Sequence, residues 1–221
     1  MTRLSASLYA ADPFRLAEEL EAIAPYVESL HLDVMDGMFT PDFGLNARLI
    51  GELAARTELP LDVHLMIRDP RRVATRYSEL GVRSIAVHVE ENQEFSDISR
   101  ALRGNGVKAI AALRHSTDVA ELERLGHDAD GFLFLTAPAG GGSFEAKAFE
   151  RLAARPRGLP VIVDGRIEPE HFDRLRALDV DLAVVGATLF ASGRTGRRAA
   201  ELAAGLGLPS GRWPEPDRHA S

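Results

Sequence analysis

Short apolar runs alternate with amphipathic stretches along most of the chain. Runs rich in Val, Ile and Leu at residues 4–8, 29–34, 61–65, 84–89, 107–113, 131–135, 160–163 and 182–185 read as strands covered on both faces. Between and after them, helical periodicity marks 13–27, 47–56, 70–80, 94–104, 118–125, 145–154, 169–177 and 187–205. Asp12-Pro13 and Asp69-Pro70 carry the signal of an N-cap followed by Pro in the first helical position. Eight strand–helix units point to an α/β protein, a single-domain (β/α)8 TIM barrel over residues 1–205. An open dinucleotide-binding sheet fits less well, because Tyr9-Ala-Ala-Asp-Pro13 stands where a Gly-rich turn would follow the first strand. The polar segment 206–221, with two prolines, reads as a flexible C-terminal tail.

Composition narrows the partners. Of 221 residues, 45% are hydrophobic and 27% charged, enough for one sizeable core. The net charge is −7 with acids and bases interspersed, so no basic face invites nucleic acid. No apolar run reaches the ~18 residues that would span a bilayer. A strand begins almost at once, so a signal peptide is not expected and the cytoplasm is the default location. The chain has no cysteine, so any bound metal must be held by His, Asp or Glu.

The chemistry-capable residues fall at one end of the expected strands, the end that carries active sites in this kind of barrel. His31 and Asp33 are two apart on strand two and share a face. His64 ends strand three, His88 lies near the end of strand four, and Asp164 follows strand seven. Ser5 and Ser7 share a face of strand one. Singly, each has a plain explanation: His88 as a hydrogen-bonded structural residue, Asp36-Gly37 as a turn, Asp164 as a helix cap. Jointly, His31, Asp33, His64 and Asp164 read as a shared site for a divalent cation such as Zn, Fe, Mn or Co, acting as a Lewis acid. Gly140, Gly141 and Gly142 after strand six, Gly165 after strand seven and Gly186 after strand eight suit a phosphate held by backbone N–H groups.

The segments His31-Leu-Asp-Val-Met-Asp-Gly37 and Leu61-Asp-Val-His-Leu-Met66, with Ser5-Ala-Ser-Leu8, Asp164-Gly165 and Gly186, resemble the ribulose-phosphate 3-epimerase family over nearly the whole chain. The resemblance implies a metal-dependent barrel that interconverts ketose phosphates differing at C3. It assigns His31, Asp33, His64 and Asp164 to the metal, with Asp33 and Asp164 also serving as the two acid/base groups. It places Ser7, Met35, His64, Met66, Gly140, Gly141, Gly142, Gly165, Arg166, Gly186 and Ala187 around the substrate. It also implies a homo-oligomer. The substrate end departs from the family pattern. Asp164-Gly-Arg166 stands in place of Asp-Gly-Gly, Gly186-Ala187 in place of Gly-Ser, Met35-Asp-Gly-Met38 in place of Met-Asp-Gly-His, and the loop after strand six is shorter.

The expected reaction is therefore epimerisation of D-ribulose 5-phosphate to D-xylulose 5-phosphate through an enediolate. Alternatives are 3-epimerisation of another ketose, a metal-dependent aldolase-type lyase, or a sugar-phosphate sensor. A Schiff-base aldolase is disfavoured because Lys108 falls at the start of strand five, on the wrong rim, and Lys147 in a helix.

Overall fold

A computed structural model describes residues 1–91, 95–191 and 193–207. Eight parallel strands close into a barrel in sequential order: β1 (Arg3–Ser7), β2 (Ser29–Met35), β3 (Leu61–Met66), β4 (Ser84–His88), β5 (Lys108–Leu113), β6 (Gly131–Leu135), β7 (Val161–Asp164) and β8 (Leu182–Val185). Around it run α1 (Leu16–Ile23), α2 (Ala47–Ala54), α3 (Arg71–Ser78), α4 (Phe95–Gly104), α5 (Ala120–Glu123), α6 (Lys147–Ala154), α7 (Phe172–Ala177), α8 (Ala187–Phe190) and α9 (Thr195–Gly205). The expected strands are all present, most with ends shifted by a residue. Asp164 is itself the last residue of β7 rather than the one after it.

Alternation along each strand separates two cores. Residues such as Leu32, Val63, Ile85, Phe134 and Val163 point outward and pack beneath the helices. Ala86, Ile110, Leu133, Ile162 and Val184 point inward and plug the middle of the barrel. At the N-terminal mouth the inward side chains are polar and pair with each other. The Ser5 and Ser29 hydroxyls lie 2.9 Å apart, and Asp62 accepts from Ser84 at 2.6 Å and from Arg83. That mouth is closed by satisfied polar groups, which leaves the other mouth for chemistry.

The helices differ from expectation where prolines and glycines intervene. The first does not run over 13–27. Asp12 caps a turn by accepting from the Phe14 N–H, the helix starts at Leu16, and it stops before Pro25, which cannot continue it. Pro70 is likewise the N-cap of α3, not its first residue. The helix expected over 187–205 is two, α8 and α9, separated by Gly193 in a left-handed conformation at φ +61°. Leu206, expected in the tail, is fully buried against the core. The remainder of that tail from 208 on, and the expected helix start at Glu94, lie outside the described residues.

Candidate metal and acid/base centre

The C-terminal mouth gathers the four residues singled out above. His31 and Asp33 come from β2, His64 from β3 and Asp164 from β7, three strands further round the barrel from β2. One ligand-capable atom from each lies within 4.8 Å of all the others, and all four side chains are largely shielded from solvent. His31 Nε2 is 3.2 Å from Asp33 Oδ1 and 3.4 Å from Asp164 Oδ2. His64 Nδ1 is 3.4 Å from Asp33 Oδ1 and 3.3 Å from Asp164 Oδ2.

The donor set fits a divalent cation. Asp33 Oδ1 is buried and accepts no hydrogen bond, an orphan that native interiors rarely leave. Two buried carboxylates face each other's imidazoles with no Lys or Arg among them, so the cluster demands positive charge. The titration directions register that demand. Burial pushes His31 down, but the charges of Asp33 and Asp164 more than offset it and hold His31 well above the usual imidazole range. Burial likewise opposes protonation of His64, and its contacts with Asp164 and Asp33 raise it. Burial pushes both aspartates up, and the charge of His31 with contacts from both rings brings them below the ordinary carboxylate range.

A cavity of about 300 Å3 opens above this cluster. Asp33 and Asp164 line it, whereas His31 and His64 lie beneath the floor, so the carboxylates are the members of the cluster that face its contents. Ser7, on β1, donates to Asp33 Oδ2 at 2.8 Å and also lines the cavity. Met35 and Met66 line the cavity and pack against Phe39 behind them. Asp36 serves as a turn residue, accepting from the Met38, Phe39 and Arg68 N–H groups at 2.8 Å each.

The other end of the cavity is bounded by Gly140, Gly141, Gly165, Arg166, Gly186 and Ala187. Gly142 lies in the same loop but does not line it, and neither does His64, so these two expected substrate neighbours are set back from it. A Cβ on Gly140, at φ +78°, would come within 2.0 Å of Thr40 Oγ1, and one on Gly165, at φ +110°, within 2.9 Å of the Ala137 nitrogen. Gly165 therefore lets backbone approach backbone at the mouth, and Gly140 lets the loop after β6 approach the Thr40 side chain. Arg166 is non-glycine yet adopts a left-handed φ of +56°. A second recess, of about 500 Å3 and lined by Arg194, Arg197 and Arg198 among others, contains neither Asp33 nor Asp164.

Some cavity neighbours are not marked by the sequence. Tyr9 lines the cavity from the turn after β1, and Thr188 donates to Glu168 at its far end. Tyr9 sits in no motif, and Thr188 directly follows Gly186-Ala187 but is not among the residues the sequence singles out; the barrel's closure brings both to the site. His88 also proves closer than expected: its Nε2 lies 3.0 Å from His64 Nε2.

The comparisons agree with this geometry. The model of the "Ribulose-phosphate 3 epimerase family" matches residues 3–190. A ribulose-phosphate 3-epimerase of Aquifex aeolicus is 29% identical over 200 residues, covering 86% of this chain and 90% of the relative. One of Bacillus subtilis is 28% identical over 211 residues, covering 90% and 96%. Among solved structures, a 3-hexulose-6-phosphate synthase superposes with a TM-score of 0.75 at 14% identity, covering 93% of this chain and 100% of that one. KGPDC from Streptococcus mutans superposes with a TM-score of 0.78 at 9% identity, covering 93% and 97%. The structural neighbours establish the barrel fold, and the family match spans the strands that carry all four cluster residues: this chain belongs to the ribulose-phosphate 3-epimerase family.

Proposed function

We propose that the chain is a metal-dependent ketose-phosphate 3-epimerase whose first substrate is D-ribulose 5-phosphate, giving D-xylulose 5-phosphate. The observation that carries this reading is the approach of Asp33 and Asp164 to one cavity from β2 and β7. Inversion at C3 needs a base on one face of the substrate and an acid on the other. The ionised carboxylate takes the C3 proton, leaving an enediolate. The protonated one delivers its proton to C3 from the opposite face, and the reverse reaction exchanges the two roles. A bound cation and the neighbouring carboxylate would set the titration of the two aspartates together rather than residue by residue.

His31, Asp33, His64 and Asp164 are the residues that would hold the cation, of which Zn, Fe, Mn and Co all suit the ligand set. When bound, such a cation supplies Lewis-acid stabilisation of the negative charge that develops on the substrate oxygens. Ser7 fixes the Asp33 carboxylate through Oδ2, so that the proton acceptor does not swing. Met35 and Met66, backed by Phe39, exclude water from the reacting end. Gly140, Gly141, Gly165 and Gly186 offer close backbone approach to the phosphate, and Arg166 offers a guanidinium.

Arg166 also favours a second reading, in which the same chemistry runs on a different ketose phosphate, because its side chain occupies space that a glycine would leave open. Comparing kcat/KM for D-ribulose 5-phosphate, a hexulose 6-phosphate and unphosphorylated D-ribulose separates these readings. The proposal requires the first to be preferred and the last to be poorest. Preference for the unphosphorylated sugar would contradict both.

A further inference from the structure

Beneath the cavity floor a chain of polar groups leads away from the cluster. His64 presents Nδ1 to Asp33, Asp164 and His31, and its other ring nitrogen, Nε2, lies 3.0 Å from His88 Nε2. His88 in turn places Nδ1 3.2 Å from Glu90 Oε2. Glu90 Oε1 accepts from the Arg114 N–H at 2.8 Å. His88 is 1% exposed, so no bulk water competes for these contacts.

Aromatic packing holds the ring in place. His88 stacks on His64 with centroids 5.1 Å apart and planes 27° apart, and Phe39 lies 4.5 Å from it. The Arg114 guanidinium lies over the Phe39 ring, 3.6 Å from its centroid. Phe39 packs with the cavity-lining Met35 and Met66 on one side and with His88 on the other, so the packing behind the cavity also orients His88.

Hydrogen-bond polarity then leaves one consistent arrangement. A metal ligand needs its lone pair free, so with Nδ1 of His64 turned to the cluster its proton must sit on Nε2. That N–H can only donate, so His88 Nε2 must accept and His88 must carry its proton on Nδ1. That second N–H finds Glu90 as its acceptor. We propose that His88 and Glu90 are positioning residues: they form a carboxylate–imidazole–imidazole relay that fixes the tautomer and ring angle of His64 for metal binding. The relay rests on the metal reading above and adds to it two residues that neither reach the cation nor line the cavity. Groups that orient a metal ligand in this way typically change metal affinity by about 10- to 100-fold.

The test uses the full chain and Zn2+ alone, one of the candidate cations and free of redox chemistry. The Zn2+ dissociation constant is measured by competition with a chelating indicator for the wild type, His88→Phe and His88→Gln. His88→Phe keeps the stacking and removes the acceptor, and it should weaken Zn2+ by about 10- to 100-fold. His88→Gln retains an acceptor oxygen and should recover most of that loss. Long-range proton–nitrogen spectra of the Zn2+-loaded wild type should place the protons on His64 Nε2 and His88 Nδ1, a readout that requires no variant to fold. Zn2+ affinity unchanged in His88→Phe, or a His88 proton on Nε2, would overturn the relay while leaving the metal site standing. Failure of the wild type to take up Zn2+ would instead bring down the metal reading, and the relay with it.

Discussion

The Ser7 hydroxyl donates to Asp33 Oδ2 at 2.8 Å, while Oδ1 of the same carboxylate accepts no hydrogen bond and faces the imidazoles of His31 and His64. One oxygen is thus committed to the protein and the other is left for a cation. Ser7→Ala should free the carboxylate to rotate. A hydrogen bond to a charged group contributes about 1.5–3 kcal/mol, so kcat should fall by roughly 10- to 100-fold. The metal dissociation constant should change far less, since all four ligands remain. Steady-state kinetics on metal-saturated protein checks this, and an unchanged kcat would remove Ser7 from the account.

The ligand cluster also fixes how the metal-free protein should respond to pH. His31 and His64 titrate above their ordinary 6.5, so their contribution to stability is complete below about pH 6.5 and is lost as pH rises through their folded values. Asp33 and Asp164 titrate below their ordinary 3.8, so their contribution is present above about pH 4 and is lost as pH falls through their folded values. Metal-free protein should be most stable between these limits and lose Tm on the alkaline side, where two buried carboxylates are left without countercharge. A bound divalent cation replaces the imidazolium protons. The gap in Tm between loaded and metal-free protein should therefore widen from about pH 6 to about pH 9. Thermal melts with and without chelator read it directly, and a gap that narrows over that range would contradict the assignment of the ligands.

Arg166 makes a separable prediction. A non-glycine residue in the left-handed region costs roughly 1–2 kcal/mol, so Arg166→Gly should raise Tm. If the guanidinium holds the phosphate, the same change should raise KM for D-ribulose 5-phosphate about tenfold and leave kcat nearly unchanged. A higher Tm with a lower KM would mean that Arg166 obstructs this substrate, and that a different ketose phosphate is the native one.

Gly140 tests the mouth of the cavity. Its φ of +78° and the 2.0 Å approach that a Cβ would make to Thr40 Oγ1 leave no room for a side chain unless the loop shifts. Gly140→Ala should displace the loop after β6 and raise KM for the sugar phosphate, with the metal dissociation constant unaffected. Equal changes in both would show that the loop and the metal cluster are not independent.

Much of this site is legible in the chain because it is written in strand alternation. His31 and Asp33 share a face of β2 by their spacing of two, and the barrel turns that face inward. Asp164 ends β7 and His64 lies two residues before the end of β3, facing inward with Asp62 by alternation, so strand boundaries good to a residue or two are enough to bring them together. Tyr9, Glu168 and Thr188 are not legible, because they reach the cavity from the segments that follow β1, β7 and β8, whose paths depend on the closed barrel. In the sequence His88 reads as a plain hydrogen-bonded histidine, and its partners explain why: one lies on the neighbouring strand and the other two residues along its own chain, so no local motif marks them. The helix boundaries fail for a different reason. Residues 192–198 hold no apolar side chain to carry the periodicity, and the helix expected over 187–205 breaks there, where Gly193 is left-handed.

Asp33 and Asp164 are assigned to move the C3 proton between opposite faces of a ketose phosphate, and on this the rest depends. The most direct test is proton NMR of D-ribulose 5-phosphate in D2O with metal-loaded wild type, Asp33→Asn and Asp164→Asn. Wild type should form D-xylulose 5-phosphate carrying solvent deuterium at C3. Each variant should lose epimerisation by at least about a thousandfold, in the upper range of what general acid–base catalysis contributes. Because each Asn removes a metal ligand as well, metal content is measured alongside. Epimerisation that persists in either metal-containing variant, or product formed without deuterium at C3, would contradict the two-carboxylate account.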